Sequence, residues 1–402
     1  MTNKKPQLRF REFEDSWKEY RFDEIFKERH QISTITDEYP QLSFTIADGV
    51  IRPEDRKTNK RDFLIIDKEN KKYLVTELDD IIYNPANVVY GAIHRNKLCK
   101  GVVSPIYKIF YSDQDSSFLE CIVRNEKFIN EISRHLEGTV TKLKTLKPKS
   151  FFNMYSYISK NIEEQEKIGC FIEYLDKLIA TYQRKSEKLI KIKKACLIKM
   201  FPTYGNINPI MRFKTYTENW NKCKLSEVVN VYDGTHQTPK YKRSGIMFLS
   251  VENIKNLSSK KYISEKDFKS EFKIYPQKGD VLMTRIGNIG IANVYEKDEP
   301  AAYYVSLALL KSKTLKPYFL KENIHSNAME KELWLRTLHI AFPKKINKNE
   351  IENTNICFPD STIEQEKIGY FFNKLNILIE LYQSKSEKLK NIKKACLNKM
   401  FI

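Results

Sequence analysis

Residues 164–201 read EQEKIGCFIEYLDKLIATYQRKSEKLIKIKKACLIKMF, and residues 364–401 read EQEKIGYFFNKLNILIELYQSKSEKLKNIKKACLNKMF. Aligned at an offset of 200, the two stretches are identical at 26 of their 38 positions. Agreement on this scale does not arise by chance, so the chain contains an internal duplication. The repeat is the feature that decides the domain organisation.

Each repeated stretch is predicted to form one long helix, because neither contains proline and Glu, Lys and Leu favour helices. Apolar residues follow alternating three- and four-residue steps, a heptad pattern broken at Lys185. A helix of about 37 residues, about 55 Å long, cannot bury such a stripe alone, so we expect the two helices to form an antiparallel coiled coil. The predicted seam of this helix pair consists of Ile168, Phe171, Leu175, Leu178, Tyr182, Leu189, Ile192, Ile368, Phe371, Leu375, Leu378, Tyr382, Leu389 and Ile392.

A shorter motif precedes each half of the chain. Its residues are Pro6, Arg9, Phe10, Trp17 and Glu24, which recur at an offset of 203 as Pro209, Arg212, Phe213, Trp220 and Glu227. The inserts between motif and helix have nearly equal lengths, but they match only faintly, at residues 80–83 and 280–283. A nearly identical frame around different inserts indicates two modules that hold equivalent positions and recognise different things. The alternative is a duplication in which one copy drifted.

The sequence therefore divides into two globular segments, 1–158 and 202–360, and two helical segments, 159–201 and 361–402. Both inserts are predicted to be mixed α/β, because short β-favouring runs alternate with Gly and Asn punctuation. We expect an α+β fold with two mixed domains, separated by the two long helices, as a pseudo-twofold repeat. Strand-like runs occur at residues 63–66, 80–83, 106–111, 246–251 and 304–310.

The composition favours an acidic polymer as partner. The 402 residues carry a formal net charge of +19, and 41% of them are apolar, enough for more than one core. Lysine-rich genome composition is the alternative cause of the charge. The seven cysteines form no Cys-x-x-Cys pair, and the longest apolar run, 301–310, is about half of what a membrane span needs. We expect a cytoplasmic protein without a membrane segment.

A search for catalytic motifs yields none that is complete. Asn84-Pro85-Ala86-Asn87 lacks the aromatic residue of the adenine-methyltransferase loop, and Gly287-x-x-Gly290 lacks the dinucleotide-binding spacing. The six histidines show no metal-ligand spacing, and no phosphate-binding loop is present. We therefore expect no catalytic residue, no cofactor site and no metal site in this chain.

Both inserts contain basic residues interspersed with aromatic and amide side chains, in or beside predicted loops. Arginine pairs with guanine edges, asparagine with adenine, and lysine with phosphates, so this mixture indicates a DNA-binding surface. The alternative for any single position is an ordinary surface residue. The candidate DNA-binding residues are Arg52, Tyr90, His94, Arg95 and Lys97 in the first insert and His236, Lys240, Tyr241, Lys242, Arg285 and Asn288 in the second.

With this layout the chain resembles the specificity subunits of type I restriction–modification systems. The strongest carriers are Glu164-Gln165-Glu166-Lys167-Ile168-Gly169 and its copy at 364–369, with the helices that follow them. The stretch Thr284-Arg285-Ile286-Gly287-Asn288-Ile289-Gly290 is similar to a glycine-spaced loop in the target-recognition domains of that family. The resemblance covers the whole chain.

The resemblance implies that each insert is a target-recognition domain that reads one half of a split DNA site. The implied partners are double-stranded DNA, two modification subunits and the restriction subunits. The resemblance also implies that S-adenosylmethionine, ATP and Mg belong to those partners, where adenine methylation with base flipping and DNA cleavage take place. Two rival interpretations remain: the targeting subunit of a related enzyme that cuts beside its site, and a coiled-coil scaffold with no DNA role.

Overall fold

The structure, a computed structural model, describes residues 4–56, 71–138 and 144–402. The chain divides into two compact units, Met1–Tyr182 with Ser384–Ile402 (unit 1) and Gln183–Gln383 (unit 2). Each unit contains one insert together with parts of both repeated stretches. The strand predicted at 63–66 lies outside the described residues.

Unit 1 is a mixed domain around an antiparallel sheet of order β2-β10-β7-β8, with smaller sheets β1-β11, β3-β6-β9 and β4-β5. Its strands are β1 (Lys18–Arg21), β2 (Lys27–Glu28), β3 (Ile32–Ser33), β4 (Ser43–Thr45), β5 (Gly49–Ile51), β6 (Tyr73–Thr76), β7 (Ile81–Tyr83), β8 (Ile93–Arg95), β9 (Gly101–Val103), β10 (Lys108–Tyr111) and β11 (Tyr155–Ile158). Its short helices are α1 (Ser116–Val123), α2 (Glu126–Ile132) and α3 (Pro148–Phe152). The core is aromatic, with Tyr83 stacked on Phe110 at 5.6 Å.

Unit 2 repeats this plan. Its main sheet has the order β13-β19-β16-β17, and smaller sheets are β12-β20 and β15-β14-β18. The strands are β12 (Asn221–Lys224), β13 (Val229–Asp233), β14 (Ile246–Leu249), β15 (Tyr262–Ile263), β16 (Val281–Thr284), β17 (Ala292–Val294), β18 (Ala301–Tyr303), β19 (Leu307–Ser312) and β20 (Asn355–Phe358). The short helices are α5 (Leu225–Val228), α6 (Glu265–Glu271), α7 (Pro317–Ile324), α8 (Asn327–Arg336) and α9 (Lys348–Glu352).

The faint sequence match at residues 80–83 and 280–283 marks equivalent strands. Asp80 precedes β7 and accepts a hydrogen bond from the Glu77 amide at 2.7 Å. Asp280 precedes β16 and accepts one from the Gln277 amide at the same distance. Each aspartate therefore closes the same three-residue turn before the central strand of its sheet, although the surrounding sequences differ.

The two predicted long helices are confirmed as α4 (Ile162–Met200) and α10 (Thr362–Met400), each of 39 residues. In unit 1, Lys393 contacts Asp176 at 2.6 Å, and Lys385 lies over the Tyr182 ring. Residue numbers rise along one helix while they fall along the other, so the helical segments are antiparallel. In unit 2, Lys185 lies over the Tyr382 ring and the Phe201 ring lies 5.8 Å from Phe372, which gives the same antiparallel direction.

The buried stripe of these helices differs from the predicted seam at every second position. Residues 168 and 175 are buried as predicted and residues 182 and 189 are half-buried, but the buried intervening positions are one residue later, at Ile172, Ile179 and Ser186. Phe171 and Leu178 are only half-buried, as are Phe371 and Leu378. Ile192 and Ile392 are exposed and lie outside the stripe. The apparent break at Lys185 disappears, because the small Ser186 takes that position.

The short repeated motif builds the core around the helix ends. In unit 1 the Trp17 ring packs edge-on against Phe118 at 5.5 Å and Phe401 at 6.0 Å. In unit 2 Trp220 packs against Phe319 at 5.8 Å and Phe201 at 6.1 Å. Each tryptophan therefore holds the last residues of a long helix in its unit.

The motif arginines bind the helix starts. Arg9 donates two hydrogen bonds to Glu164, through Nε at 2.5 Å and Nη2 at 2.9 Å, and Arg212 binds Glu364 in the same way at 2.9 and 2.8 Å. Both carboxylates are buried, and charges so far from water need such partners. These contacts explain why Arg9 and Glu164 recur together as Arg212 and Glu364.

Candidate nucleic-acid interface

In unit 2, two loops lie at one edge of the main sheet. β13 and β16 both run antiparallel to β19, so they are parallel to each other. Asp233 at the end of β13 pairs with Ala308, and Thr284 at the end of β16 pairs with Leu307. The loops after these strands, residues 234–245 and 285–290, therefore leave the same edge of the sheet.

Arg285 ties this edge together from inside. Its side chain is buried, and its guanidinium forms an ion pair with Asp233. Its Nε donates to the Ile346 carbonyl at 3.1 Å, and the Ile346 amide donates to the Arg285 carbonyl at 3.0 Å. Arg285 is predicted to contact DNA, but its guanidinium is buried and engaged by Asp233 and the Ile346 carbonyl, so it is not presented to a ligand. We assign it as a positioning residue that joins three segments.

The loop 234–245 presents the other predicted residues to solvent. His236, Lys240, Tyr241 and Lys242 are all exposed, and the loop contains no acidic residue. The Tyr241 ring packs edge-on against Phe248 at 5.7 Å, which fixes its orientation while leaving nearly half of the side chain accessible. Backbone pairing of Lys242 with Tyr262 fixes the end of the loop. The result is a basic surface with a supported aromatic ring.

Asn288 lies at the tip of the second loop and is exposed, as predicted. Gly287 and Gly290 on either side have positive φ angles of 78° and 88°, which permit the tight turn. The Thr284 hydroxyl donates to the Asn288 carbonyl at 2.5 Å. The backbone is therefore held by its own bonds, and the Asn288 side chain is presented at the surface.

A third segment joins this edge that sequence reasoning did not single out. Residues 338–345 form a hairpin whose two ends pair, Leu338 with Lys345, and Lys345 also pairs with Ile286. The Gly287 amide donates to the Lys344 carbonyl at 2.8 Å, so the hairpin is bonded directly to the Asn288 loop. A cleft of about 400 Å³ lies between them, lined in part by Asn288, Trp334 and His339.

Unit 1 has the same edge. β2 and β7 flank β10 in the same arrangement, and the loop 84–92 follows β7. The Leu146 amide donates to the Pro85 carbonyl at 3.0 Å, the counterpart of the bond from Ile346 to Arg285. Tyr90 lies in this loop and is 73% exposed. Tyr90 is therefore placed where the second unit carries its exposed loops.

Two other predicted residues of the first insert lie inside unit 1. His94 is buried, and its Nε2 donates to the Ile46 carbonyl at 2.8 Å. Burial and the nearby Arg124 lower the pKa of His94 to about 4, so the ring is neutral. Arg95 forms ion pairs with Asp79, Glu120 and Glu173 and is also largely buried. The structure does not present His94 or Arg95 to a ligand, because the His94 ring is buried and the Arg95 guanidinium is held by three carboxylates.

The remaining predicted residues keep some exposure. Lys97 is half-exposed but lies 2.7 Å from Glu120, so its charge is already paired. Arg52 is exposed at the start of the turn Pro53–Asp55, where its closest acidic partner, Glu54, lies 4.0 Å away. Arg52 and Tyr90 are thus the predicted residues of unit 1 that are most available to a partner.

In the described ranges, no cluster of three or more His, Cys, Asp or Glu residues that could hold a metal ion occurs. All seven cysteines are free thiols, and burial raises the pKa of Cys121 to about 12. In the part of the chain that the structure describes, no helix is both long and apolar enough to cross a membrane.

Fold and site together define a class: a duplicated α+β protein in which each mixed domain carries a loop-rich sheet edge and includes parts of two long helices. The sequence model described as Type I restriction modification DNA specificity domain matches residues 217–391. Over these residues the chain is similar to the DNA specificity domain of type I restriction–modification systems. The predicted resemblance to the specificity subunits and the predicted α+β fold class are confirmed.

Two comparisons describe the similarity. The type I restriction enzyme MjaVIII specificity subunit of Methanocaldococcus jannaschii is 26% identical over 260 residues, which cover 59% of this chain and 59% of that relative. The chain thus matches less than two thirds of the curated relative's length. The crystal structure of the type I restriction–modification system S subunit from M. genitalium superposes with a TM-score of 0.65 at 13% identity, covering 99% of each chain, and shows the shared fold.

Proposed function

We propose that this chain is the DNA-reading subunit of a type I restriction–modification complex and recognises a bipartite target. Each unit reads one half-site through the loops at its sheet edge. The observation that carries the proposal is the edge of unit 2, where an acid-free loop exposes His236, Lys240, Tyr241 and Lys242 beside Asn288. Lysines match phosphates, and Asn and Tyr suit base edges and base faces.

The chain itself contributes recognition and no catalysis in this proposal. Its partners are two modification subunits, which hold S-adenosylmethionine, and restriction subunits, which hold ATP and Mg. The repeated motif and the helix starts support this division, because their arginine, tryptophan and glutamate residues hold the core of each unit together. The complex acts on duplex DNA in the cytoplasm.

Binding of the full chain to duplex DNA tests the proposal. We expect the logarithm of the binding constant to fall linearly with the logarithm of salt concentration between about 50 and 200 mM, because bound lysines release counterions from phosphates. A scaffold without a DNA role should show no such salt dependence. If the salt dependence is absent, the proposed function is wrong. Co-purified modification subunits should confer methylation that the lone chain lacks. Methyl transfer by the lone chain would contradict the non-catalytic assignment.

A further inference from the structure

The hairpin at residues 338–345 in unit 2 exposes two large apolar side chains. Ile340 is 99% and Phe342 is 104% exposed, as much as in an extended chain. Neither side chain contributes to a core, so folding alone does not explain them. Single exposed apolar residues are common on protein surfaces. Two fully exposed apolar side chains on one hairpin tip, however, mark a contact surface.

The base of the hairpin is fixed. The Leu338 amide donates to the Lys345 carbonyl at 2.8 Å, and the Gly287 amide donates to the Lys344 carbonyl at 2.8 Å. Ile346, the next residue, is completely buried and bonded to Arg285. The tip is therefore presented from an ordered support, at the same sheet edge as Asn288.

The charge of the hairpin identifies the partner. Residues 338–345 contain Lys344 and Lys345 and no acidic residue. Lys344 and Lys345 are exposed and follow Phe342 after one intervening residue, Pro343. Apolar side chains flanked by lysines suit duplex DNA, where apolar groups contact bases or wedge between base steps and lysines contact phosphates.

We propose that this hairpin enters a groove of the DNA. Ile340 and Phe342 contact the bases as an apolar wedge, and Lys344 and Lys345 neutralise the flanking phosphates. The inference deepens the proposed function and rests on it, since it names the segment by which unit 2 holds its half-site. The loop 234–245 and Asn288 lie at the same edge and supply polar contacts.

Two variants of the full chain separate the two roles of the hairpin. The pair Ile340→Ala and Phe342→Ala should weaken binding to a random-sequence duplex at least about tenfold without changing the salt slope, because no charge is removed. The pair Lys344→Gln and Lys345→Gln should lower the salt slope by about 2, one unit for each lost phosphate contact. Ile210→Ala removes another exposed apolar side chain of unit 2, outside the hairpin, and should change neither quantity.

The outcomes distinguish failure of this inference from failure of the proposed function. If the unaltered chain shows no salt-dependent binding, the proposed function fails and the inference fails with it. If the unaltered chain binds and the apolar variant binds equally well, only the inference is overturned. Loss of modification-subunit binding with unchanged DNA affinity would assign the hairpin to a protein partner, and would also overturn it. Circular dichroism of the variants should match that of the unaltered chain, because both side chains are fully exposed.

Discussion

Arg285 and Asp233 form an ion pair that joins the ends of two strands, β13 and β16, at the edge where unit 2 presents its loops. The arginine is buried and the aspartate is partly exposed. An ion pair with one buried partner holds its geometry, because breaking it leaves an uncompensated charge away from water. The pair therefore sets the position of both loops.

The first prediction follows from that pair. Asp233→Ala should destabilise unit 2 by about 2 kcal/mol, less than for a fully buried pair because Asp233 keeps some contact with water. Hydrogen exchange followed by mass spectrometry measures the loss separately in each unit. The control is Asp298→Ala, which removes the exposed partner of Lys278 and should leave stability unchanged. Equal protection in both variants would show that the Arg285 pair does not organise the edge.

The second prediction concerns the charge of the loop 234–245. Changing Lys240, Lys242 and Arg243 to glutamine should reduce the salt slope of DNA binding by about 2 to 3, since each phosphate contact contributes about 0.9. The same change at Lys266, Lys269 and Lys273 removes equal charge from exposed sites on and just after α6, outside the loop. Those variants should leave the slope nearly intact. Equal losses in both sets would mean that net charge, rather than this loop, drives binding.

The third prediction is the pH dependence of unit 1. His94 has its pKa lowered to about 4, so the folded state keeps it neutral while the unfolded chain takes up a proton below about 6.5. The free energy of unfolding should therefore fall as the pH drops from about 6.5 to about 4, by up to about 1.4 kcal/mol per pH unit. Besides Arg124, the groups that act on the ring are Lys97, which lowers its pKa, and Glu120, which raises it.

Urea unfolding of unit 1 at about pH 7 and about pH 5 measures this dependence. His94→Gln keeps a donor for the Ile46 carbonyl but does not titrate, so it should reduce the difference between the two conditions. His236→Gln replaces an exposed histidine of unit 2 and should retain the full difference. An unchanged pH dependence in the His94 variant would rule out His94 as its source.

The fourth prediction compares the two helix starts. Glu164 accepts bonds from Arg9 and from the Trp17 indole, at 3.2 Å for the latter, whereas the buried Trp220 indole N–H has no acceptor among the described residues. Glu164→Ala removes the acceptor of the Trp17 indole and should therefore destabilise unit 1 by about 1.5 kcal/mol more than Glu364→Ala destabilises unit 2. Hydrogen exchange in the two units gives both values. Equal losses of stability would show that the hydrogen bond from the Trp17 indole to Glu164 does not stabilise unit 1.

The repeat and the helices could be predicted from sequence because their signal is local and periodic. The register of the seam could not, since Phe171 and Ile172 are adjacent apolar residues and allow both a three- and a four-residue first step. Burial decides for Ile172, and the same choice recurs at Ile179.

Parts of the candidate site could likewise be predicted from the sequence, and other parts could not. Loop 234–245 could be predicted because turn-forming residues and cations occur together in one stretch. Arg95 and Arg285 could not be recognised as internal, because their acidic partners, such as Glu173 and Asp233, are distant in sequence. The hairpin was missed because Ile340 and Phe342 have the composition of a core segment, and only the folded chain shows them exposed.

The central claim is that each unit reads one half of a split DNA target. The most direct measurement replaces residues 18–158 by the equivalent domain of a relative and maps methylated adenines in a host that supplies the partner subunits. Unit 2 keeps every residue, including its loop 234–245 and the Arg285 pair. We expect one half-site to change while the other stays the same. A change in both half-sites, or in neither while methylation remains active, would contradict the claim.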